Sequence, residues 1–215
     1  MERSSHVMLI GEGASKFGVE MGMPRVDSSS LVMPEAKEEW KTFTSFNNVV
    51  SEVFNKTDKV EALGHDTVGA VAMDLKGNFA AATSTGGIPL QKVGRASDAS
   101  IIGAGAYCDS FGGVSCTGHG ESIAKVLLAQ RVLSRLQCNG SNSDSGGEVL
   151  SLHNAMKEGL KCMLERVGGR GGIIGICRSG EIAKCTSTYM SWASVDAEGI
   201  RENGTGIGLD NTVSM

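Results

Sequence analysis

A threonine at the start of a strand of small residues is the strongest candidate for a catalytic residue in this sequence. Residues 64–74 read Gly-His-Asp-Thr-Val-Gly-Ala-Val-Ala-Met-Asp, so Thr67 directly precedes the strand, and a run of hydroxyls ending in Thr85 follows. A threonine hydroxyl is a weak nucleophile unless a base takes its proton, and a free α-amine, with a pKa of about 8, can do so near neutral pH. The pattern suggests that the bond between Asp66 and Thr67 is cut, which makes Thr67 a new N-terminus.

The same pair of residues has an ordinary structural interpretation. An Asp-Thr pair is more often a polar turn that leads into a β-hairpin than a cleavage site. The small and apolar residues at 68–73 let neighbouring strands approach closely and predict a strand with one packed face, and residues 74–78 predict a hairpin turn. The strand and the turn are expected under either interpretation, so the chemical role of Thr67 depends on the rest of the chain.

Composition and charge predict a compact globular domain. The chain has 215 residues, of which 30 are glycine, 40% are hydrophobic and only 5% are aromatic, so we expect an aliphatic core packed against glycine-rich strands. Twenty basic and 24 acidic residues give a net charge of -4, which disfavours non-specific nucleic-acid binding. The sequence has no apolar run long enough for a membrane span, and residues 1–15 lack the core of a signal peptide, so we expect a cytoplasmic location.

Hydrophobic periodicity and turn residues predict an α+β fold. Helices are expected at residues 11–20, 34–55, 121–137 and 149–167. A short strand or a buried segment is expected at 6–10, and strands through much of 67–117 and in a hairpin of 173–177 with 182–187. Residues 56–66 and 138–147 are expected to be loops, and 194–215 a loose polar tail with at most one edge strand. The inward faces of the two long helices are predicted at Val126, Ala129, Leu133 and Leu136, and at Leu152, Met156, Leu160 and Met163.

The cysteine and histidine pattern gives no support for a metal or a cofactor. The six cysteines are not arranged as Cys-x-x-Cys, and in the expected compartment they are thiols rather than disulfides. Cys116 and His119 lie on one loop, but adjacency in sequence does not provide the oriented pair that a thiol nucleophile needs, so a packing role is favoured for His119. The turn at 118–120 resembles a dinucleotide fingerprint only weakly, because Ile123 replaces its third glycine.

Four separate blocks of the sequence carry a resemblance to a known family. From about Ser4 to Ala193 the chain resembles the N-terminal-nucleophile (Ntn) hydrolases that comprise plant-type L-asparaginases, isoaspartyl peptidases and aspartylglucosaminidases. The blocks are His-Asp-Thr-Val-Gly-Ala-Val-Ala at 65–72, Ala-Thr-Ser-Thr-Gly-Gly-Ile at 82–88, Gly-Arg-Ala-Ser-Asp at 94–98 with Gly-Ala-Gly-Ala-Tyr at 103–107, and Ser-Cys-Thr-Gly-His-Gly-Glu at 115–121. Their order matches the family's order.

The resemblance implies a role for each matching catalytic position. Thr67 would be the nucleophile and, once cleavage after Asp66 frees its amine, also the base. Thr85 would hydrogen-bond near the Thr67 amine and hydroxyl. Thr117 and Gly118 would form an oxyanion hole, and losing one such donor typically raises the barrier by about 3 kcal/mol.

The resemblance also implies a substrate clamp. Arg95 would bind the substrate's α-carboxylate, because a planar guanidinium can donate two parallel hydrogen bonds to a carboxylate. Asp98 would bind the α-ammonium, and Gly118 and Gly120 would complete the substrate site. Without the other blocks, Arg95 and Asp98 would be no more than a surface ion pair on a loop.

Among the branches of this family, the motifs are most similar to the asparaginase and isoaspartyl peptidase branch. The resemblance implies hydrolysis of L-asparagine and β-aspartyl dipeptides, with aspartylglucosaminidase-like activity as an alternative. It implies a small-molecule substrate and a dimer of cleaved protomers. We expect no cofactor and no metal ligands.

The resemblance further implies an αββα sandwich in which residues 1–66 are a remnant of the α-subunit and residues 67–215 are the catalytic β-subunit, together one domain. More than half of the family's α part has no counterpart before Ser4. We therefore also keep the hypothesis of a catalytically inactive, truncated paralogue or partial product that pairs with a full-length relative.

Overall fold

The computed structural model describes residues 3–42, 67–88, 90–140 and 150–207. The chain divides into two compact units, Met1–Thr42 and Phe43–Met215. Helices and antiparallel sheets make up the described residues, so the predicted α+β class is confirmed. In these ranges no helix is both long and apolar enough to cross a membrane.

The first unit contains two short helices, α1 Gly11–Glu20 and α2 Pro34–Thr42, with a 3-10 turn at Ser28–Leu31 between them. The Asp27 carboxylate accepts a hydrogen bond from Ser29 N at 2.7 Å and begins that turn. The prediction of α1 is confirmed, and so is the start of α2, whose predicted continuation to residue 55 lies outside the described residues. The predicted strand or buried segment at 6–10 is wrong: these residues are exposed coil, and no strand of the described residues pairs with them.

Among its described residues, the second unit contains eight strands and three α-helices. The strands are β1 Val68–Met73, β2 Phe79–Ser84, β3 Ala106–Cys108, β4 Gly112–Gly118, β5 Gly171–Cys177, β6 Ile182–Thr186, β7 Tyr189–Val195 and β8 Arg201–Ile207; the helices are α3 Gly120–Val126, α4 Leu128–Gly140 and α5 Leu152–Val167. They form a β1–β2 hairpin, a central antiparallel sheet in the order β3-β4-β5-β6, and a β7–β8 hairpin. The predicted hairpin now called β5–β6 is confirmed.

The central sheet is covered differently on its two faces. Val114 and Cys116 of β4 are fully buried in one core with helix residues such as Leu133 and Met156. On the other face Ser115 Oγ donates a hydrogen bond to Ala82 O of β2 at 3.4 Å. A Cβ on Gly113 would lie only 2.9 Å from a methyl carbon of Val71 in β1, so small residues let the hairpin lie close to the sheet.

The helix predicted at 121–137 is interrupted, which corrects the prediction. Leu127 has a left-handed φ of 49° and separates α3 from α4. In one continuous helix the side chains of Val126 and Leu128 would point about 200° apart, yet both are buried in the same core. The break places both inside and leaves Leu127 exposed. The predicted inward residues are otherwise confirmed, with Leu136 only partly buried.

Helix α5 confirms the second long prediction, including its inward face. Ser151 Oγ accepts from Asn154 N at 3.2 Å and caps its start, and Gly168 with a φ of 66° ends it. The Glu181 carboxylate accepts from the amides of Leu152 and His153 at 3.0 and 3.2 Å, which joins the helix start to the β5–β6 turn. These bonds satisfy amides that the helix itself leaves unpaired.

The C-terminal part of the second unit is more regular than the predicted loose tail. Strand β8 pairs with β7 over seven residue pairs, from Tyr189 with Ile207 to Val195 with Arg201. The Asp196 carboxylate accepts from Glu198 N and Ile200 N at 3.0 and 2.8 Å and stabilises the turn between the strands. The one edge strand that the prediction allowed is β8, while its loose-tail part is wrong for residues up to 207, because the polar residues of β8 obscure the strand pattern. Residues 208–215 lie outside the described range, as do the predicted loop residues 56–66 and 141–147; residues 138–140 belong to α4 rather than to a loop.

Candidate active site

An open cavity brings together most of the side chains selected from the sequence. Its lining consists of Thr67, Thr85, Gly87, Ile88, Arg95, Ser97, Asp98, Gly118 and Gly120. These residues come from the ends of β1, β2 and β4, from the loop after β2, and from the start of α3. Residues scattered along the chain from 67 to 120 therefore share one site.

The β1–β2 register explains why the two threonines are neighbours in this cavity. Val68 pairs with Ser84, so Thr67 just before β1 and Thr85 just after β2 lie at the same end of the hairpin. The Thr85 hydroxyl accepts a hydrogen bond from Gly87 N at 3.1 Å, which orients it. Thr67 is half-buried. Its predecessor in the proposed cleavage site, Asp66, lies outside the described residues.

Asp98 is a buried carboxyl group in the cavity wall. It is only 6% exposed and lies in a short 3-10 turn, Asp98–Ser100. Burial raises its pKa to about 6, and the negative charge of Glu121 adds to the increase; hydrogen bonds from the amides of Asp98 and Ala99 and the positive charge of Arg95 act in the opposite direction. At neutral pH the group is mostly an anion, and it needs a cationic partner.

Arg95 is oriented by two side chains for which the sequence analysis gave no role. Its Nε donates to Glu121 Oε1 at 2.7 Å, and its Nη1 donates to Gln91 Oε1 at 3.2 Å. The Arg95 side chain is 13% exposed. The hydrogen bond from Arg95 lowers the pKa of Glu121, which therefore stays ionised. Glu121 closes the fourth sequence block and could have been found as the acidic partner of Arg95; Gln91 carried no signal.

Glycines allow the start of α3 to approach these charged groups. Gly118 has a φ of 127°, which favours glycine, and a Cβ there would lie 2.5 Å from Arg170 O. A Cβ on Gly120 would lie 2.6 Å from Asp98 Oδ1 and 3.2 Å from Arg95 Nη2. Only a glycine at 120 leaves Asp98 and Arg95 in their present positions.

The neighbouring Cys116 and His119 do not form a nucleophile pair in this structure. Cys116 is buried in the core on the helix side of β4, and burial raises the pKa of its thiol. His119 Nδ1 lies 2.7 Å from Ser122 Oγ, and its Nε2 lies 3.6 Å from Glu121 Oε2. His119 therefore contacts side chains of its own turn, as the favoured packing role predicts.

Among the candidate site residues that the structure describes, Thr117 alone is not part of the cavity lining. It follows Cys116 on β4, so strand alternation directs its side chain toward the face that Ser115 shares with the β1–β2 hairpin. Its predicted place in an oxyanion hole stays a prediction. Within the described ranges, no group of three His, Cys, Asp or Glu side chains is close enough together to hold a metal ion.

The arrangement has two chemical halves. The cavity lining contains the hydroxyls of Thr67 and Thr85 together with the guanidinium of Arg95 and the buried carboxylate of Asp98. A cation and an anion held side by side can bind a zwitterion such as the α-amino-acid end of a small molecule. The rest of such a molecule would then extend toward the hydroxyls.

Comparisons with known proteins agree with this arrangement. A family model described as Asparaginase matches residues 1–205. The chain is 40% identical over 198 residues to the isoaspartyl peptidase/L-asparaginase of Xenopus laevis, covering 91% of this chain and 58% of that protein. It is 40% identical over 196 residues to the Homo sapiens protein of the same name, covering 90% and 58%. Over 203 residues it is 38% identical to the Escherichia coli isoaspartyl peptidase, covering 89% and 58%. The chain thus spans about 58% of the length of these relatives, and it belongs to the asparaginase family.

Proposed function

We propose that this chain carries the catalytic site of an N-terminal-nucleophile amidohydrolase that hydrolyses L-asparagine and β-aspartyl dipeptides after cleavage before Thr67. The observation that carries the proposal is the single cavity that joins the Thr67 and Thr85 hydroxyls to Arg95 and Asp98. The names of the relatives, isoaspartyl peptidase/L-asparaginase, support the choice of substrates.

In the proposed mechanism, Arg95 binds the α-carboxylate and Asp98 the α-ammonium of the substrate. This fixes the side-chain amide against Thr67, and holding two reactants in place removes much of the entropic barrier. Thr67 Oγ attacks the amide carbon while the Thr67 amine takes the hydroxyl proton.

The tetrahedral intermediate carries its negative charge on the former carbonyl oxygen, and Thr117 and Gly118 supply the donors for it. The amine then passes its proton to the leaving nitrogen, and the carbon–nitrogen bond breaks. Water, activated by the same amine, hydrolyses the aspartyl ester and restores the Thr67 hydroxyl.

The wider architecture is part of the same proposal. In the unit from Phe43 onward, helices α3–α5, the central sheet and the β1–β2 hairpin are three successive layers, which is compatible with an αββα sandwich. The proposed sandwich has a second helical layer outside the hairpin, and the proposed assembly is a dimer of cleaved protomers. In each protomer, residues 1–66 would be the α-subunit remnant and residues 67–215 the β-subunit.

The test is the intact mass of the purified protein after incubation at neutral pH. Two fragments parted before Thr67, followed by turnover of L-asparagine or a β-aspartyl dipeptide, would support the proposal. A chain that stays uncut and inactive would favour the alternative of a catalytically silent paralogue or partial product. Including a β-aspartyl-glucosamine substrate in the assay separates the aspartylglucosaminidase alternative from the other two activities.

The pH dependence of kcat/KM is expected to show the ionisation of Asp98. The Thr67 amine, with an ordinary pKa of about 8, must be neutral, so log kcat/KM falls with a slope of one below that pH. Below pH about 6 the profile should become steeper, because protonated Asp98 no longer binds the substrate ammonium. In Asp98→Asn the overall rate falls and the steeper part disappears; a wild-type profile with a single slope would contradict the role of Asp98.

Glu121→Gln should move that break in the profile to lower pH. The Glu121 charge raises the Asp98 pKa, and glutamine removes the charge while keeping an oxygen for Arg95 Nε. Arg95 and Cys116 are the other titratable groups coupled to Asp98; neither is changed in this variant. An unchanged or higher break would show that Glu121 does not act on Asp98.

Gly120→Ala is expected to reduce kcat/KM by about 10²-fold, because a displacement of about 1 Å at a reacting site has an effect of that size. The added methyl group would displace the Asp98 carboxylate, 2.6 Å away, and the Arg95 guanidinium. The matched control is Gly206→Ala in β8, where a Cβ meets no atom within 4 Å. Steady-state kinetics and a thermal melt of both variants distinguish a displaced clamp from a damaged fold.

A further inference from the structure

The Gln91 side chain contacts two residues of the cavity lining, Ile88 and Arg95. Its Oε1 accepts one hydrogen bond from Ile88 N at 3.3 Å and another from Arg95 Nη1 at 3.2 Å. A Cβ on Gly87 would overlap the Gln91 carboxamide, so the glycine makes room for it. Both partners are donors, which fixes the oxygen rather than the nitrogen of the amide at this position.

We infer that the Gln91 carboxamide occupies the α-carboxylate subsite of the empty cavity and is displaced by the carboxylate of the substrate, so that Gln91 sets the affinity for that group. The inference rests on the proposed function, which assigns Arg95 to the substrate carboxylate. It adds Ile88 N as a second donor for the carboxylate. It also adds competition between the Gln91 oxygen and the substrate carboxylate.

The bonds that Arg95 already makes are the reason why we expect the Gln91 oxygen and the substrate carboxylate to compete. A guanidinium donates two parallel hydrogen bonds to a carboxylate along one of its edges. Nε is already bonded to the Glu121 carboxylate at 2.7 Å, so the edge made by Nη1 and Nη2 is the one left for a substrate. Gln91 holds Nη1 of that edge.

The backbone around Gln91 directs the side chain into this position. Gln91 N donates to Ile88 O at 3.2 Å, which holds Gln91 close to Ile88. Leu90 within the turn has a φ of 56°, a conformation that L side chains rarely adopt. Gln91 itself is exposed, so its carboxamide can swing into solvent when a carboxylate arrives.

Two substitutions of Gln91 should change carboxylate affinity in opposite directions. Gln91→Ala removes the competing oxygen, and the apparent Kd for L-aspartate, the expected product, should fall about fivefold if the subsite is about 80% covered. Gln91→Glu places a permanent anion on Arg95, and the Kd should rise about tenfold, because a charge-assisted hydrogen bond is about twice as strong as a neutral one.

The measurement is calorimetric titration with L-aspartate, which requires no turnover, alongside β-alanine, which lacks the α-carboxylate. Lys92→Ala, an exposed neighbour, is the control. A tighter Kd in Gln91→Ala and a weaker one in Gln91→Glu, with no gain for β-alanine, is the expected result.

Several outcomes would overturn the inference. Weaker binding of L-aspartate in both variants would show that Gln91 supports the site or contacts the ligand favourably. An equal increase in affinity for L-aspartate and β-alanine would exclude competition with the α-carboxylate. No binding of L-aspartate by any form would show that the subsite does not exist. The two variants could change the Kd for L-aspartate in opposite directions in a protein that hydrolyses neither asparagine nor β-aspartyl dipeptides. That result would reject the proposed hydrolase activity and still support this inference.

Discussion

Thr67→Ala is expected to leave the chain uncut and to reduce turnover of L-asparagine by at least about 10⁴-fold, as loss of a catalytic nucleophile does in other hydrolases. The substitution removes the hydroxyl that attacks both the bond before residue 67 and the substrate amide. It leaves the β1–β2 register intact, because the first paired residue is Val68. Intact mass and steady-state kinetics measure the two effects separately.

Two further variants make this result specific. Thr67→Ser keeps a hydroxyl and the capacity for a free amine, so it should still be cut and retain measurable activity. Thr205→Ala changes an exposed threonine on β8 and should behave as the wild type. Persistent cleavage or full turnover in Thr67→Ala would exclude Thr67 as the nucleophile, whatever the other cavity residues do.

Local patterns predicted the elements whose own sequence determines them. Helix α5 has apolar residues at three- and four-residue spacing, a serine cap and a terminal glycine, all within one segment. The β5–β6 hairpin likewise has two apolar runs on either side of a short turn. In such cases all the signals that define the element lie within its own segment of the sequence.

The predictions that were wrong concern elements that depend on tertiary contacts. The break at Leu127 arises because Val126 and Leu128 enter the same core, and no local signal such as Gly or Pro marks it. Strand β8 is polar and depends on its pairing with β7. The pattern at 6–10 is apolar enough for a strand, but a strand also needs a partner for its backbone groups.

The candidate site shows the same division between local and long-range information. Each selected residue stood in a recognisable block, and the structure places six of them, from Thr67 to Gly120, in one cavity. What the blocks did not reveal is how Arg95 is held. Its partner Glu121 is 26 residues further along the chain, and the start of α3 brings it to 2.7 Å. Gln91 contacts Arg95 at 3.2 Å, and no pattern in the blocks indicated this contact.

Arg95→Ala is expected to reduce kcat/KM by about 10²- to 10³-fold, the usual effect of deleting one partner of a partly buried charge pair. Most of the change should appear in KM, because the lost contact is to the substrate's α-carboxylate. Arg95→Lys keeps the charge but not the planar fork, so it should recover only a small part of the activity. Arg178→Ala, an exposed arginine in the β5–β6 turn, is the matched control.

The pH profile distinguishes this explanation from general damage to the fold. The positive charge of Arg95 lowers the Asp98 pKa, so its removal should move the break in the kcat/KM profile above pH about 6, opposite to the shift expected for Glu121→Gln. A misfolded site would lower activity without moving the two breaks in opposite directions. If Arg95→Ala lowers kcat at unchanged KM and leaves the break in place, Arg95 does not bind the carboxylate, and the clamp with Asp98 has to be abandoned.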